Sequence, residues 1–231
     1  MRSSILITMA SMLITLPVFG VVPEASKKPA RSGALKTTIT GKRMEMRSKG
    51  NVVIFSDDAQ VTRGDTQLKA QTITQDKKAD MVTAEGNVVF KAKTEKGEPL
   101  NAQAQNMQYY MEKQSGALWG GRPIVSYHMT GSTQPAVLTA DRVEFDRQVQ
   151  EVRAYGDVSV VTSSVTALGA FARLDEQNHM IWLDGEQGQP KLIADDKGKT
   201  HTFVADHITV WMDRRRIQLE GRVYGTIQKP E

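Results

Sequence analysis

Apolar and polar residues alternate along most of this chain with a period of two. The segments Arg142-Val143-Glu144-Phe145, Val158-Ser159-Val160 and Ile208-Thr209-Val210 all follow this alternation. Successive side chains of a β-strand point to opposite faces, so the pattern predicts strands with one apolar face. No segment of ten or more residues has a convincing amphipathic helical period. With clusters of turn-forming residues between the runs, the sequence predicts an all-β protein of roughly 16 to 20 strands.

A two-part motif recurs along the chain. Its first part is Ala, two residues, an apolar residue, any residue and a second apolar residue. Its second part is Gly, usually followed by Asn or Asp and then Val; Gly50-Asn51-Val52 and Gly86-Asn87-Val88 are both interpreted as copies. A repeat of about 36 residues indicates stacked units that share one core. The Ala-to-Gly offset is 16 residues in four copies and 18 in a fifth, namely Ala70–Gly86, Ala104–Gly120, Ala140–Gly156, Ala205–Gly221 and, at 18, Ala167–Gly185.

Stacking such units creates a continuous apolar face that must be covered. Either a second sheet covers it, as in a filled sandwich core, or the sheet folds over on itself and the face lines a groove. Periodicity alone leaves both arrangements open. The positions expected on this face are Val52, Ile54, Ile73, Val88, Phe90, Met107, Tyr109, Val143, Phe145, Val158, Val160, Ile208, Val210 and Val223.

The N-terminal segment differs in composition from the rest. Residues 1–25 are expected to be a secretory signal peptide, with a charge in Met1-Arg2, an uncharged run from residue 5 to residue 22, and Pro17 and Gly20 near its end. An uncleaved membrane anchor is the alternative, since these 18 uncharged residues just reach the length that spans a bilayer. Residues 26–36 are interpreted as a polar linker and residues 37–228 as the β domain.

Charge and candidate chemistry argue against an enzyme. The net charge of +4 comes from 30 basic and 26 acidic residues that are interspersed, so no nucleic-acid partner is expected. The chain has no cysteine, which excludes disulfides and thiolate metal sites. His201 and His207 would share a face if they lay on one strand, but no third ligand is near them in sequence. No catalytic triad or phosphate loop is recognised, so we expect no cofactor and no metal.

The repeat resembles the LptA/OstA family of lipopolysaccharide-transport proteins. The segments that carry the resemblance are Ala140-Asp141-Arg142-Val143-Glu144-Phe145 with Tyr155-Gly156-Asp157-Val158, Ala205-Asp206-His207-Ile208 with Glu220-Gly221-Arg222-Val223, and Ala84-Glu85-Gly86-Asn87-Val88. Together the copies extend from about residue 41 to about residue 226. Two departures stand out: the longer copy from Ala167 to Gly185, and Arg122-Pro123 after Gly120, where continuity of the groove is in doubt.

The resemblance implies a folded-over, V-shaped antiparallel β-jellyroll that is open at both ends. It also implies a periplasmic carrier of lipopolysaccharide, with the acyl chains of lipid A inside the groove lined by the fourteen positions above. The expected partners are an LptC-like inner-membrane protein and an LptD-like outer-membrane protein. Head-to-tail self-association is expected as well, because a sheet that does not close keeps unpaired edge strands. The alternatives are a structural or adhesive β-repeat protein with a filled core, or a membrane-anchored LptC-like protein.

Overall fold

The structure, a computed structural model, describes residues 37–93, 99–128, 134–146, 148–149, 151–163, 165–175, 178, 180–185, 188–196, 199–211 and 216–228. The predicted signal peptide and linker lie outside this part of the chain. Within it, one turn of 3-10 helix, Ser48–Gly50, accompanies 18 strands, which confirms the all-β prediction. The strands are β1 (Thr37–Thr40), β2 (Arg43–Arg47), β3 (Val52–Arg63), β4 (Thr66–Asp76), β5 (Met81–Lys93), β6 (Pro99–Tyr110), β7 (Ser115–Trp119), β8 (Ile124–His128), β9 (Pro135–Thr139), β10 (Arg142–Asp146), β11 (Glu151–Val161), β12 (Val165–Asp175), β13 (Met180–Asp184), β14 (Lys191–Asp196), β15 (Lys199–Val204), β16 (His207–Trp211), β17 (Arg216–Glu220) and β18 (Tyr224–Gln228).

All strands belong to one antiparallel sheet that is folded over along a line, which we call the corner. The long strands β3, β4, β5, β6, β11 and β12 cross the corner, and each pairs with different neighbours on its two sides. The remaining strands are short and lie on one side or the other. The result is the folded-over antiparallel architecture that the resemblance implied.

The corner divides the sheet into two walls. The first wall is ordered β2-β3-β4-β5-β6-β7-β10-β11-β12-β13-β16-β17. The second wall is ordered β1-β3-β4-β5-β6-β8-β9-β11-β12-β14-β15-β18. Edge strands β1 and β2 therefore stand at one end of the stack, and β17 and β18 stand at the other.

Pairs of left-handed residues make the long strands bend at the corner. Gly86 and Asn87 have φ angles of 79° and 50°, and Gly156 and Asp157 have 70° and 41°. The pairing register shifts at these places, between Glu85 and Val88 and between Tyr155 and Val158. A bulge of this kind turns a strand, and Gly, Asn and Asp are the residues that best tolerate the left-handed conformation. The recurring Gly-Asn or Gly-Asp pair is therefore the corner signal of the sequence.

Contact across the corner explains the constant offset of 16 residues. Ala205 is fully buried at the corner, and the residue after it, Asp206, lies directly against the Cα atom of Gly221. Asp141 lies in the same way against Gly156, one unit earlier. A side chain at either glycine would collide with the carboxylate, so the offset records two neighbouring crossings of the corner.

The copy at Gly50 is an exception, and its interpretation as a corner is wrong. Gly50 lies in the tight turn between β2 and β3, at the outer tip of the first wall. The corner of β3 instead lies at Asp57 and Asp58, whose φ angles are 62° and 64°, and the register of β3 shifts between Ser56 and Ala59. Two consecutive Asp residues thus take the place of the Gly-Asn pair.

The two departures from the repeat do not break the sheet. After Arg122 and the buried Pro123, strand β8 pairs with both β6 and β9. The longer copy places its extra residues in the connection from β13 to β14, and β12 pairs with both of those strands. The two histidines considered as a pair lie on different strands and different walls, His201 in β15 and His207 in β16. No membrane-spanning helix is found among the described residues.

Candidate functional site: the interior between the walls

Three rows of side chains run along the inner faces of the walls, each through twelve strands. The corner row of the first wall is Met44, Phe55, Ile73, Ala84, Met107, Leu118, Val143, Ala154, Ala172, Leu183, Ile208 and Leu219. Its tip row, farther from the corner, is Met46, Val53, Gln75, Val82, Tyr109, Gly116, Phe145, Val152, Leu174, Ile181, Val210 and Ile217. The row of the second wall is Ile39, Val61, Leu68, Phe90, Ala102, Val125, Leu138, Val160, Ala167, Leu192, Phe203 and Gly225. Apart from Gln75, every residue of the three rows is apolar, aromatic or glycine.

Most of the predicted lining positions fall on these inner faces. In the structure, eleven of the fourteen belong to the core or pack against it: Ile73, Val88, Phe90, Met107, Tyr109, Val143, Phe145, Val158, Val160, Ile208 and Val210. The structure therefore places these side chains together, while their contact with a lipid remains a prediction.

Val52 and Ile54 are placed on the wrong face by the prediction. Their neighbours Val53 and Phe55 occupy the inner rows instead, and Val53 is only 6% exposed. The run from Val52 to Phe55 is apolar at every position, so alternation could not decide its face. The comparison of Gly50 with the corner glycines then decided it incorrectly.

Val223 is also placed differently from the prediction. It lies between β17 and β18 at the corner of the last level and is 51% exposed. In the described chain no further level follows β17 and β18, so nothing covers this position.

Sequence reasoning missed several of the most deeply buried inner side chains. Leu68, Leu118, Leu183 and Leu192 are at most 2% exposed. They stand outside the two-part motif, which is why a search guided by the motif passed over them. The signal was available in the alternation itself, for example in Thr66-Gln67-Leu68, where every second residue is buried.

Exposure of the inner rows changes along the stack. In the tip row, Val53, Val82, Tyr109 and Phe145 are nearly fully buried. From β11 onward the same row is only half-buried, at Val152, Leu174, Ile181 and Val210. At the two ends the inner side chains are exposed, with Met46 at 62% and Ile217 at 46%. The interior is thus closed by its own side chains in the N-terminal half, and it is accessible at both ends and along the C-terminal half.

Comparison with known proteins addresses the first half of the stack. Residues 38–150 match the family model described as LptA/(LptD N-terminal domain) LPS transport protein. Through this segment the chain belongs to the LptA/OstA-like family. The resemblance drawn from the repeat is thereby confirmed. The rows continue past residue 150 through β11 to β18 with the same pairing scheme, so the unmatched half of the stack repeats the architecture of the family segment.

Two further comparisons complete the relationship. Among solved structures, the chain is similar to LptH from Pseudomonas aeruginosa, described as the LptA homologous periplasmic component of the conserved lipopolysaccharide transport device. The identity is 14% and the TM-score 0.26, and the alignment covers 84% of this chain and 96% of that one. No curated protein matches the sequence significantly.

The outer face of the first wall has a different chemistry from the interior of this family member. Glu151 is 7% exposed there and pairs with both Arg153 and Arg173, the latter at 2.6 Å between Nε and Oε2. Arg173 also lies over the ring of Trp182, with its guanidinium carbon 4.8 Å from the ring centre. Polar groups and tryptophans therefore face outward, while the interior stays aliphatic. Among the described residues, no group of three His, Asp or Glu side chains is arranged to hold a metal ion.

Proposed function

We propose that this protein binds lipopolysaccharide in the periplasm and passes it towards the outer membrane, with the acyl chains of lipid A between the two walls. The observation that carries the proposal is the set of three inner rows, which stay apolar through twelve strands except at Gln75. At about 4.8 Å per strand, these rows extend roughly 50 Å. Membership of the LptA/OstA-like family supports the same function.

The physical requirement on such a carrier is a dry surface without specific geometry. Each methylene group that leaves water gains about 0.8 kcal/mol, so a chain of twelve carbons is strongly driven into an aliphatic interior. Valine, isoleucine, leucine and methionine supply such a surface. Acyl chains would enter where the inner rows are accessible, which favours the mouth beside Val152, Ile181 and Val210 and the two ends of the stack.

A filled core is the alternative, and a specific observation favours it. Val61 and Leu118 are 1% and 0% exposed, so the N-terminal half of the interior has no room for a ligand unless the walls move apart. Under this alternative the protein is a structural or adhesive β-repeat module. Lipid binding separates the two functions, because a filled core takes up no lipid.

Substitution on the two faces of one strand tests the carrier function. Phe145→Asp and Val158→Asp place a charge on the inner face, where an unpaired charge costs several kcal/mol. Both should abolish the binding of fluorescent lipid A. The outer-face changes Glu144→Gln and Ser159→Asp should leave binding within about twofold, since they touch no inner row. Circular dichroism provides the folding control. Folded inner-face variants that still bind lipid A would contradict the proposal.

Export and partners form part of the same proposal. A signal peptide cleaved soon after Gly20 would release the protein into the periplasm, and N-terminal sequencing of the mature protein checks this. An intact Met1 in the membrane fraction would favour the LptC-like, anchored alternative.

End-to-end contact is expected because the edge strands β1, β2, β17 and β18 each pair with one described strand only. Exposed inner side chains stand at both ends, Met44 and Met46 at one and Ile217 at the other. Joining such edges would align two interiors, either of two copies or of this chain and an LptC-like or LptD-like partner. Light scattering that reports a monomer at all concentrations, with no binding to such partners, would contradict this contact.

A further inference from the structure

Arg63 interrupts the aliphatic chemistry of the interior. It is the last residue of β3, and it pairs with Thr37 of β1 and Thr66 of β4. Since Val61, two residues earlier, belongs to the inner row of the second wall, Arg63 lies on that same inner face, farther from the corner. An arginine therefore stands at the mouth of the interior, near the end formed by β1 and β2.

The guanidinium of Arg63 has a buried nitrogen without a partner. Its Nη1 atom is buried and makes no hydrogen bond within the described structure. The neighbouring carboxylate of Asp65 pairs with Lys93 instead, at 2.9 Å. A buried charged donor without an acceptor is costly, so this position is occupied favourably only when an anion reaches it.

The surroundings of Arg63 suit the polar head of an amphiphile. Thr66 and Gln75 are the buried polar residues nearest to this mouth by register, at 7% and 8% exposure. On the first wall at the same end, Met44 and Met46 present exposed thioether side chains on the inner face. This end of the interior thus combines a cation and hydrogen-bonding groups with an adjoining apolar surface.

We propose that Arg63 binds a phosphate group of an anionic lipid whose acyl chains lie against the methionine end of the interior. The planar guanidinium can donate two parallel N–H bonds to phosphate oxygens, a geometry that lysine does not reproduce. This inference rests on the proposed function, because it names the group that recognises the head of the lipid. It also accounts for an arginine in rows that are otherwise aliphatic.

The test compares two forms of one lipid on the purified full-length protein. The probes are lipid A with both phosphates and the same lipid after removal of its phosphates. Calorimetric titration should show that the wild type prefers the phosphorylated form by roughly tenfold. Arg63→Gln should bind both forms equally, and Arg63→Lys should retain part of the preference. Arg142→Gln is the matched control, because Arg142 lies on the outer face and pairs with Glu144; it should keep the full preference.

The possible outcomes separate this inference from the function on which it rests. If Arg63→Gln keeps the wild-type preference, or if the wild type binds both lipids equally, the phosphate site is wrong while the carrier function stands. If the wild type binds neither form, the carrier function itself fails. Thermal unfolding checks that Arg63→Gln is folded, which we expect because the substitution removes an unpaired buried charge.

Discussion

Tyr109 and Phe145 stack on each other in the interior although their strands are not neighbours. Their ring centres are 6.0 Å apart and their planes differ by 20°. Strand β7 lies between them, and the residue in register with both is Gly116. The missing side chain of Gly116 leaves the space in which the two rings meet, and the rings in turn cover the glycine backbone, a known way of stabilising glycine within a sheet.

Filling this space should destabilise the protein. In Gly116→Val, the new Cβ atom would collide with the ring of Phe145 and with the carbonyl oxygen of Gln108. Overpacking of this kind costs about 1–3 kcal/mol, which urea unfolding measures as a lower free energy of unfolding. Ser115→Val, the preceding residue on the outer face, is the control and should change stability by less than about 0.5 kcal/mol. Equal stability of both variants would contradict the stacking arrangement.

The register of β3 predicts opposite results for two adjacent residues. Phe55→Asp should lower the free energy of unfolding by several kcal/mol, because Phe55 packs against the core. Ile54→Asp should cost less than about 1 kcal/mol, since Ile54 lies on the outer face. Chemical denaturation of both variants decides the point. A larger loss for Ile54→Asp would mean that the register of this strand is shifted by one residue.

The paired carboxylate on the outer face should matter more than an exposed one. Glu151→Gln removes the charge that faces Arg153 and Arg173 from a buried position, and we expect a loss of about 1–3 kcal/mol. The matched control is Glu144→Gln, whose carboxylate pairs with Arg142 but is 35% exposed; its loss should be below about 1 kcal/mol. Thermal and urea unfolding give both values. If the two losses are equal, burial does not strengthen the Glu151 pairs.

The corner carboxylate Asp206 should make stability depend on acid pH. The backbone N–H of Arg222, then its guanidinium and the amide of Gln189, donate hydrogen bonds to this carboxylate and lower its pKa from 3.8 to about 2. A pKa that is lower in the folded state adds stability above the unfolded value, and this stability is lost as the pH falls from about 4 to about 2. Melting temperatures of wild type and Asp206→Asn should therefore differ at pH 6 and converge near pH 2. A difference that stays constant over this range would contradict the assignment.

Much of this fold could be predicted because one structural unit is written several times in the sequence. The Gly-Asn and Gly-Asp pairs mark the corner, and the offset of 16 residues records the packing of Asp206 on Gly221 and of Asp141 on Gly156. Alternation then identified most of the inner side chains. These signals are local, and each copy reinforces the others.

The errors arose where local signals were ambiguous or where tertiary position decided. Val52 and Ile54 lie in a run without polar residues, and the corner of their strand is made by Asp57 and Asp58 rather than by glycine. Val223 carries the motif but stands at the end of the stack, where nothing covers it. Arg63 was not singled out, because a basic residue beside the turn at Gly64 and Asp65 is ordinary, and only the pairing of β3 with β1 and β4 places it inside.

The most direct test of the central claim is the identity of the lipid that the protein carries in the periplasm. The native protein and the Val158→Asp variant should be isolated from the periplasm under mild conditions, and their bound lipids should be identified by mass spectrometry. The account predicts lipopolysaccharide with intact lipid A on the native protein and none on the folded variant, in which a charge stands among the inner side chains. A native protein that carries no lipid, or equal lipopolysaccharide on both proteins, would contradict it.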